Sequence, residues 1–265
     1  MSDRKRILVT GGAGYIGRRL LPVLMKEADV VSLDLNPAEG VTESIVGSVT
    51  DRRTVDEAMA GADAVLHMAY GHPDHDLGKQ ADVNIKGTTN VLEACVELKV
   101  PRIVFASTVM TVWAKPEYPD RPAYHNFSPV NFYSYSKCCQ ELLIEMYTGQ
   151  HDFLSGICLR IGQPERTPDS PTRFGPNFGM VRDAEVLVPF DDLCEAFRLA
   201  IQDAEDVKFA SLFLTGDYGN NHYFVDETRK TLGLRFQWKV ERDPEAEGVY
   251  ILRKVGSPDA CQDKS

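Results

Sequence analysis

Residues 6–17 read Arg6-Ile7-Leu8-Val9-Thr10-Gly11-Gly12-Ala13-Gly14-Tyr15-Ile16-Gly17, a short apolar run that ends in a glycine-rich turn. The run has the composition of a buried strand, and Ile16, Leu20, Val23 and Leu24 then recur at helical spacing, interrupted by Pro22. In a strand–turn–helix unit, Gly11, Gly14 and Gly17 permit a tight turn, a close approach of backbone to phosphate, and close packing of helix on strand, in that order. A pyrophosphate would rest on the helix N-terminus, where unpaired N–H groups and the helix dipole favour an anion, with Tyr15 and Ile16 beside it. A second strand, 29–34, ends in Asp34 about 20 residues further on, where the dinucleotide fingerprint expects a carboxylate. That carboxylate can accept hydrogen bonds from both ribose hydroxyls and would repel a 2′-phosphate, so NAD is expected over NADP. Arg18 and Arg19 are the residues that would suit NADP.

Working outward, the alternation continues. Asp51 is placed to cap a helix through Val55, Ala58 and Met59. Residues 62–68 read as a strand, 81–98 as a helix ended by Pro101, 102–107 as a strand and 157–161 as another. Strands alternating with helices imply parallel βαβ units and a doubly wound sheet, with a small C-terminal substrate-binding appendage. The expected division is a core over 1–162, a substrate loop and C-terminal elements of the same domain over 163–255, and a loose tail over 256–265. In the second part, Asp191 or Asp192 is expected to cap a helix bearing Leu193, Phe197, Ala200 and Ile201, followed by a strand over 211–214.

Tyr133-Ser134-Tyr135-Ser136-Lys137 places a phenol and an ammonium four residues apart, hence on one helix face about 5 to 6 Å apart between Cβ atoms. A neighbouring cation favours the phenolate and brings the phenol towards the range useful for general acid–base work.

Composition narrows the alternatives. The 265 residues carry a formal charge of −10, with 43% hydrophobic and 26% charged residues, as in an ordinary globular protein. The acidic balance argues against a nucleic-acid partner, because phosphate-backbone binders concentrate Lys and Arg. No apolar run approaches the roughly 18 residues of a membrane span, and the charged N-terminus runs straight into a strand without a cleavage site, so a cytoplasmic location is expected. The six cysteines lack metal-ligand spacing and read as reduced thiols. His72-Pro73-Asp74-His75 supplies too few ligands for a metal.

Together these residues resemble the extended short-chain dehydrogenase/reductase superfamily. The matching stretches are Thr10 to Gly17, His67-Met68-Ala69, Asn84-Ile85-Lys86-Gly87-Thr88-Thr89-Asn90, and Tyr133 to Lys137. The resemblance implies a Rossmann fold, NAD(P), and a catalytic Thr108, Tyr133 and Lys137, with Ser107 as the neighbouring alternative for the hydroxyl. It also implies cofactor contacts from Ser48, Val49, Met68, Ala69, Asn84, Ser107, Tyr133, Lys137 and Ile161, with Lys137 holding the nicotinamide ribose and Asn84 supporting a water or backbone carbonyl near Lys137. The short C-terminal portion looks most like the uronate dehydrogenases and related small sugar dehydrogenases. That likeness implies substrate contacts from His72, Val109 and Gln163, and a carboxylate-binding arginine that is either Arg173 or Arg182. The expected activity is NAD-dependent oxidation of a sugar or sugar-acid hydroxyl, by a homodimer. Epimerisation or dehydration of a nucleotide sugar is the second reading, and a non-enzymatic dinucleotide sensor the third.

Overall fold

Strands that are apolar on both faces need cover on both sides, and this chain supplies it with the helices that connect them. In the computed structural model, residues 4–41, 43–72, 74–112, 127–165, 186–204, 206–216, 223–242 and 250–255 are described. In chain order the elements are β1 (Arg6–Thr10), α1 (Gly17–Leu24), β2 (Asp29–Asp34), β3 (Glu43–Val46), α2 (Arg52–Met59), β4 (Ala64–His67), α3 (Leu77–Ala81), α4 (Gly87–Glu97), β5 (Arg102–Thr108) and α5 (Phe132–Gln150). They continue with β6 (Ser155–Ile161), β7 (Gln163–Pro164), β8 (Leu187–Val188), α6 (Phe190–Gln202), β9 (Phe209–Leu214), α7 (Val225–Leu232), β10 (Trp238–Arg242) and β11 (Tyr250–Lys254).

Seven strands form one parallel sheet in the order β3-β2-β1-β4-β5-β6-β9. The order reverses between β1 and β4, and ligands of doubly wound sheets bind beyond the strand ends at such a switch point. Alternation along β1 divides the core: Ile7 and Val9 join Leu20, Leu24 and Phe197 on one face, while Leu8 joins Val55, Met59, Leu92 and Ile144 on the other. The expected doubly wound sheet is therefore present, with α1 and α6 covering one face and α2, α4 and α5 the other.

Three local features differ from the sequence reading. β3 is an edge strand whose residues are exposed or half-buried, so it carries no apolar run by which to recognise it. The expected helix over 81–98 is α3, a π-helical turn over Asp82–Lys86, and α4 in succession. Neither Asp191 nor Asp192 caps α6, which begins at Phe190 with Pro189 before it. Both side chains instead hold the approach to β10. Asp192 accepts from the backbone N–H of Gln237 at 2.6 Å and Asp191 from the Trp238 indole at 2.9 Å. Asp51 does cap α2, through the N–H of Arg53.

Candidate active site

At the end of β1 the chain turns sharply. Gly11 has φ +77°, and a Cβ there would lie 2.8 Å from the Met68 carbonyl carbon and the Ala69 nitrogen. At Gly17 a Cβ would lie 2.3 Å from the Gly12 oxygen, so the close packing is against the turn itself. No side chain caps α1, which leaves its N-terminus suited to an anion. Asp34 is pinned beside the turn, with one carboxylate oxygen accepting from Ala13 N–H at 3.1 Å and the other from Asn36 N–H at 3.0 Å. Val49 is buried and its carbonyl accepts from the Asn90 amide at 2.9 Å, while the Ser48 hydroxyl bonds Thr50. Ile161 is buried at the end of β6, in register with Thr108. The Tyr15 hydroxyl donates to the Glu165 carbonyl at 2.6 Å, and Ile16 packs on the core. Arg19 lies over the rings of Tyr15 and Phe190, at 4.4 and 4.6 Å, and so faces α6.

A buried histidine joins the two strands at the switch point. The Thr10 hydroxyl accepts from the N–H groups of Met68 and Ala69 and lies 2.7 Å from His67 Nδ1. On the other side, Thr88 Oγ1 donates to the Asn84 carbonyl, accepts from the Gln140 amide, and lies 2.9 Å from His67 Nε2. A hydroxyl has one proton. Thr88 has spent its own on Asn84, so Nε2 carries the ring proton, and Nδ1 accepts from Thr10. Burial first, and Lys137 second, push the His67 pKa from 6.5 to about 3. Between those values the unfolded chain binds the proton and the folded chain does not, so stability rises with pH through this window and is lost as pH falls from 6.5 towards 3. A His67→Asn variant, less stable at neutral pH, should show a flatter decline in urea-derived unfolding free energy down to about pH 4. Parallel declines would exclude His67 as the source. Asp192, raised to about 6 by burial, contributes the opposite slope in both proteins and cancels in the difference.

The next strand end carries the candidate chemistry. Asn131 caps α5 in a reciprocal capping box with Ser134, which sets Tyr133 in the first turn and Lys137 one turn later. The Thr108 hydroxyl lies near enough to the Tyr133 phenol to favour its ionised form. Lys137 is buried, with Nζ 5.8 Å from the Tyr133 ring centre and donating to the Ala106 carbonyl at 2.8 Å. The expectation that Lys137 lowers the Tyr133 pKa is corrected: burial, and then the nearby Tyr70 phenol, hold it above its ordinary value, and Thr108 opposes them. Burial likewise brings Lys137 down to about 7, since a low-dielectric setting favours the neutral form of each.

Of the two candidate hydroxyls, Thr108 meets Tyr133, whereas Ser107 donates to Glu141 in the interior. Glu141 in turn pairs with Arg160, both side chains being almost fully enclosed. The Ser107 side chain thus belongs to this buried cluster. The Asn84 amide oxygen accepts from Gly71 N–H at 2.7 Å and its nitrogen donates to Ser136 Oγ at 2.8 Å. It thus ties the loop after β4 to α5, because the π-helical turn carries it into the interior. Val109 is buried just beyond Thr108, Gln163 is half-buried in β7, and His72 accepts from Asp74 N–H. Arg173 and Arg182 lie outside the described residues.

The anion-ready turn and the phenol–ammonium pair stand beyond the C-terminal ends of one parallel sheet, which defines the class: a doubly wound dinucleotide-type fold with a Thr-Tyr-Lys set. Residues 7–179 match the NAD dependent epimerase/dehydratase family, and the chain belongs to it. Uronate dehydrogenase of Agrobacterium fabrum is 30% identical, over 96% of this chain and 91% of its own length. The N-acetyl-alpha-D-glucosaminyl-diphospho-ditrans,octacis-undecaprenol 4-epimerase of Escherichia coli O157:H7 is 34% identical over 53% of this chain, which spans 43% of that enzyme. The crystal structure of glucuronic acid dehydrogenase from Chromohalobacter salexigens shares the fold, with a TM-score of 0.74 at 24% identity over 93% of this chain and 94% of that one.

Proposed function

We propose that the protein is an NAD-dependent dehydrogenase acting on a hydroxyl of a sugar or sugar acid. The observation that carries this reading is the meeting of Thr108 and Tyr133, with Lys137 behind them, on the sheet edge that also bears the glycine turn. Gly11, Gly14, Tyr15, Ile16, Gly17, Asp34, Ser48, Val49, Met68, Ala69, Asn84, Ser107, Tyr133, Lys137 and Ile161 would hold the dinucleotide, and Asp34 favours NAD. When bound, NAD supplies the hydride acceptor. Tyr133, as the phenolate, takes the proton of the substrate hydroxyl and becomes the phenol, while Thr108 holds the same oxygen in line. Lys137, behind the phenol, would hold the nicotinamide ribose. In the reverse direction Tyr133, held as the phenol, returns that proton to a carbonyl oxygen.

Near full-length similarity to a uronate dehydrogenase supports the sugar-acid reading, and similarity over about half of this chain to a 4-epimerase of an undecaprenyl-diphosphate-linked sugar supports epimerisation, the second reading, in which the same three side chains serve a diphosphate-linked sugar. Incubating the protein with NAD and a panel of aldoses, uronic acids and nucleotide sugars, while following NADH absorbance, separates them. Sustained NADH with a free sugar or uronic acid is expected. Conversion of a nucleotide sugar without net NADH would establish the epimerase reading instead.

Residues 1–162 would carry the cofactor and catalytic groups, with 163–255 completing the same domain; pairing of β9 with β6 supports that division. A homodimer through α4 and α5 is supported by Tyr135, Leu142 and Met146, exposed along one side of α5. A cytoplasmic setting accords with five cysteines present as free thiols among the described residues. Among those residues no helix is long and apolar enough to cross a membrane.

A further inference from the structure

We infer that Tyr70 is a specificity-determining residue whose ring receives the C–H face of a cyclic sugar while Tyr133 works on one of its hydroxyls. The inference rests on the dehydrogenase reading above and names the feature that selects a ring-form substrate. Tyr70 follows Ala69 in the loop after β4, on the same sheet edge as the candidate catalytic groups. Its ring stands edge-to-face with that of Tyr133, 6.0 Å between centres and 69° between planes. Lys137 Nζ lies 5.8 Å from the Tyr70 ring centre, and the His72 ring lies 6.1 Å away. Despite these neighbours Tyr70 remains 46% exposed, so a broad aromatic surface is presented beside the Tyr133 phenol.

The backbone that carries this ring is held firmly. Gly71 N–H is bound by Asn84, and a Cβ at Gly71 would lie 2.8 Å from the Gln80 Cα, so the loop is packed directly on α3. A large, half-exposed ring on a pinned backbone is a preorganised surface, which costs little entropy to use in binding. Its face is electron-rich and attracts the weakly positive C–H groups that line one side of a pyranose or furanose. An open-chain polyol offers no such continuous face. The contact therefore favours cyclic substrates over linear alcohols with a similar number of hydroxyls.

The test compares wild type, Tyr70→Leu and Tyr70→Phe. The cyclic probes are L-arabinose, D-glucose, D-glucuronate and UDP-glucose; the linear probes are D-sorbitol and propan-2-ol. Each is assayed for NADH formation and, separately, for binding in the presence of NAD by saturation-transfer NMR. For the best cyclic probe, Tyr70→Leu should lower the cyclic-to-linear ratio of kcat/KM about tenfold, mainly through KM, with a matching loss of NMR transfer. Tyr70→Phe, which keeps the ring, should recover most of that loss. An unchanged ratio in Tyr70→Leu, or equal damage from Leu and Phe, would overturn the assignment while leaving the dehydrogenase reading standing. Binding of a cyclic probe without NADH, weakened only in Tyr70→Leu, would keep the assignment and remove that reading. A wild-type protein that neither binds nor oxidises any cyclic probe would overturn both.

Discussion

Replacing Tyr133 with Phe should lower kcat by about 10²- to 10⁴-fold, the usual contribution of a positioned acid–base group. The substitution removes one oxygen and little else. The edge-to-face contact with Tyr70 persists, the capping box at Asn131 still starts α5, and Lys137 keeps its bond to the Ala106 carbonyl. NAD affinity, measured by fluorescence titration, should thus change by no more than about threefold, a difference of under 1 kcal/mol. A rate within a fewfold of wild type would remove Tyr133 from the chemistry. Loss of NAD binding in parallel with rate would instead show that Tyr133 acts mainly by holding the cofactor.

The largest expected loss of stability comes from Glu141→Ala. Arg160 sits with its side chain 0% exposed, and Glu141 accepts from its Nε at 3.0 Å and its Nη2 at 2.7 Å. Ser107 and Ser211 add hydrogen bonds to the same carboxylate. Removing it leaves a buried guanidinium without its counter-charge, at a cost of about 3–5 kcal/mol. That is a large share of the roughly 5–15 kcal/mol by which domains are folded. Exchanging both partners, Glu141→Leu with Arg160→Met, should recover much of the loss, because an apolar pair of similar volume needs no compensation for desolvation. Urea unfolding measures both. A single variant within about 1 kcal/mol of wild type would show that the pair is structurally idle, and a double variant worse than the single would show that Arg160 has obligations beyond Glu141.

The sequence made the local chemistry legible. The stretch from Arg6 to Gly17 is recognisable because strand, turn and helix each leave a short-range signature, and Tyr133 and Lys137 because helical spacing by itself puts them on one face. Asp34 follows from the same logic, since it ends the adjacent strand. By contrast β3 leaves no such signature, because an edge strand can be half-exposed throughout and still pair. Asp191 and Asp192 look like helix caps in isolation, yet the backbone at Gln237 and the indole of Trp238 claim their oxygens.

By itself, then, the sequence determined the doubly wound plan, the dinucleotide turn and the identity of the phenol–ammonium pair, all properties of residues within a few positions of one another. Only the tertiary structure decided which hydroxyl of Ser107 and Thr108 faces Tyr133, where the Asn84 amide is spent, and that His67 is a neutral link between two threonines. It also decided the sign of the Tyr133 pKa shift and brought Tyr70 beside that phenol. Each of these depends on burial and on partners brought together from distant parts of the chain, and neither desolvation nor a contact across 52 residues, as between Asn84 and Ser136, is written in local spacing.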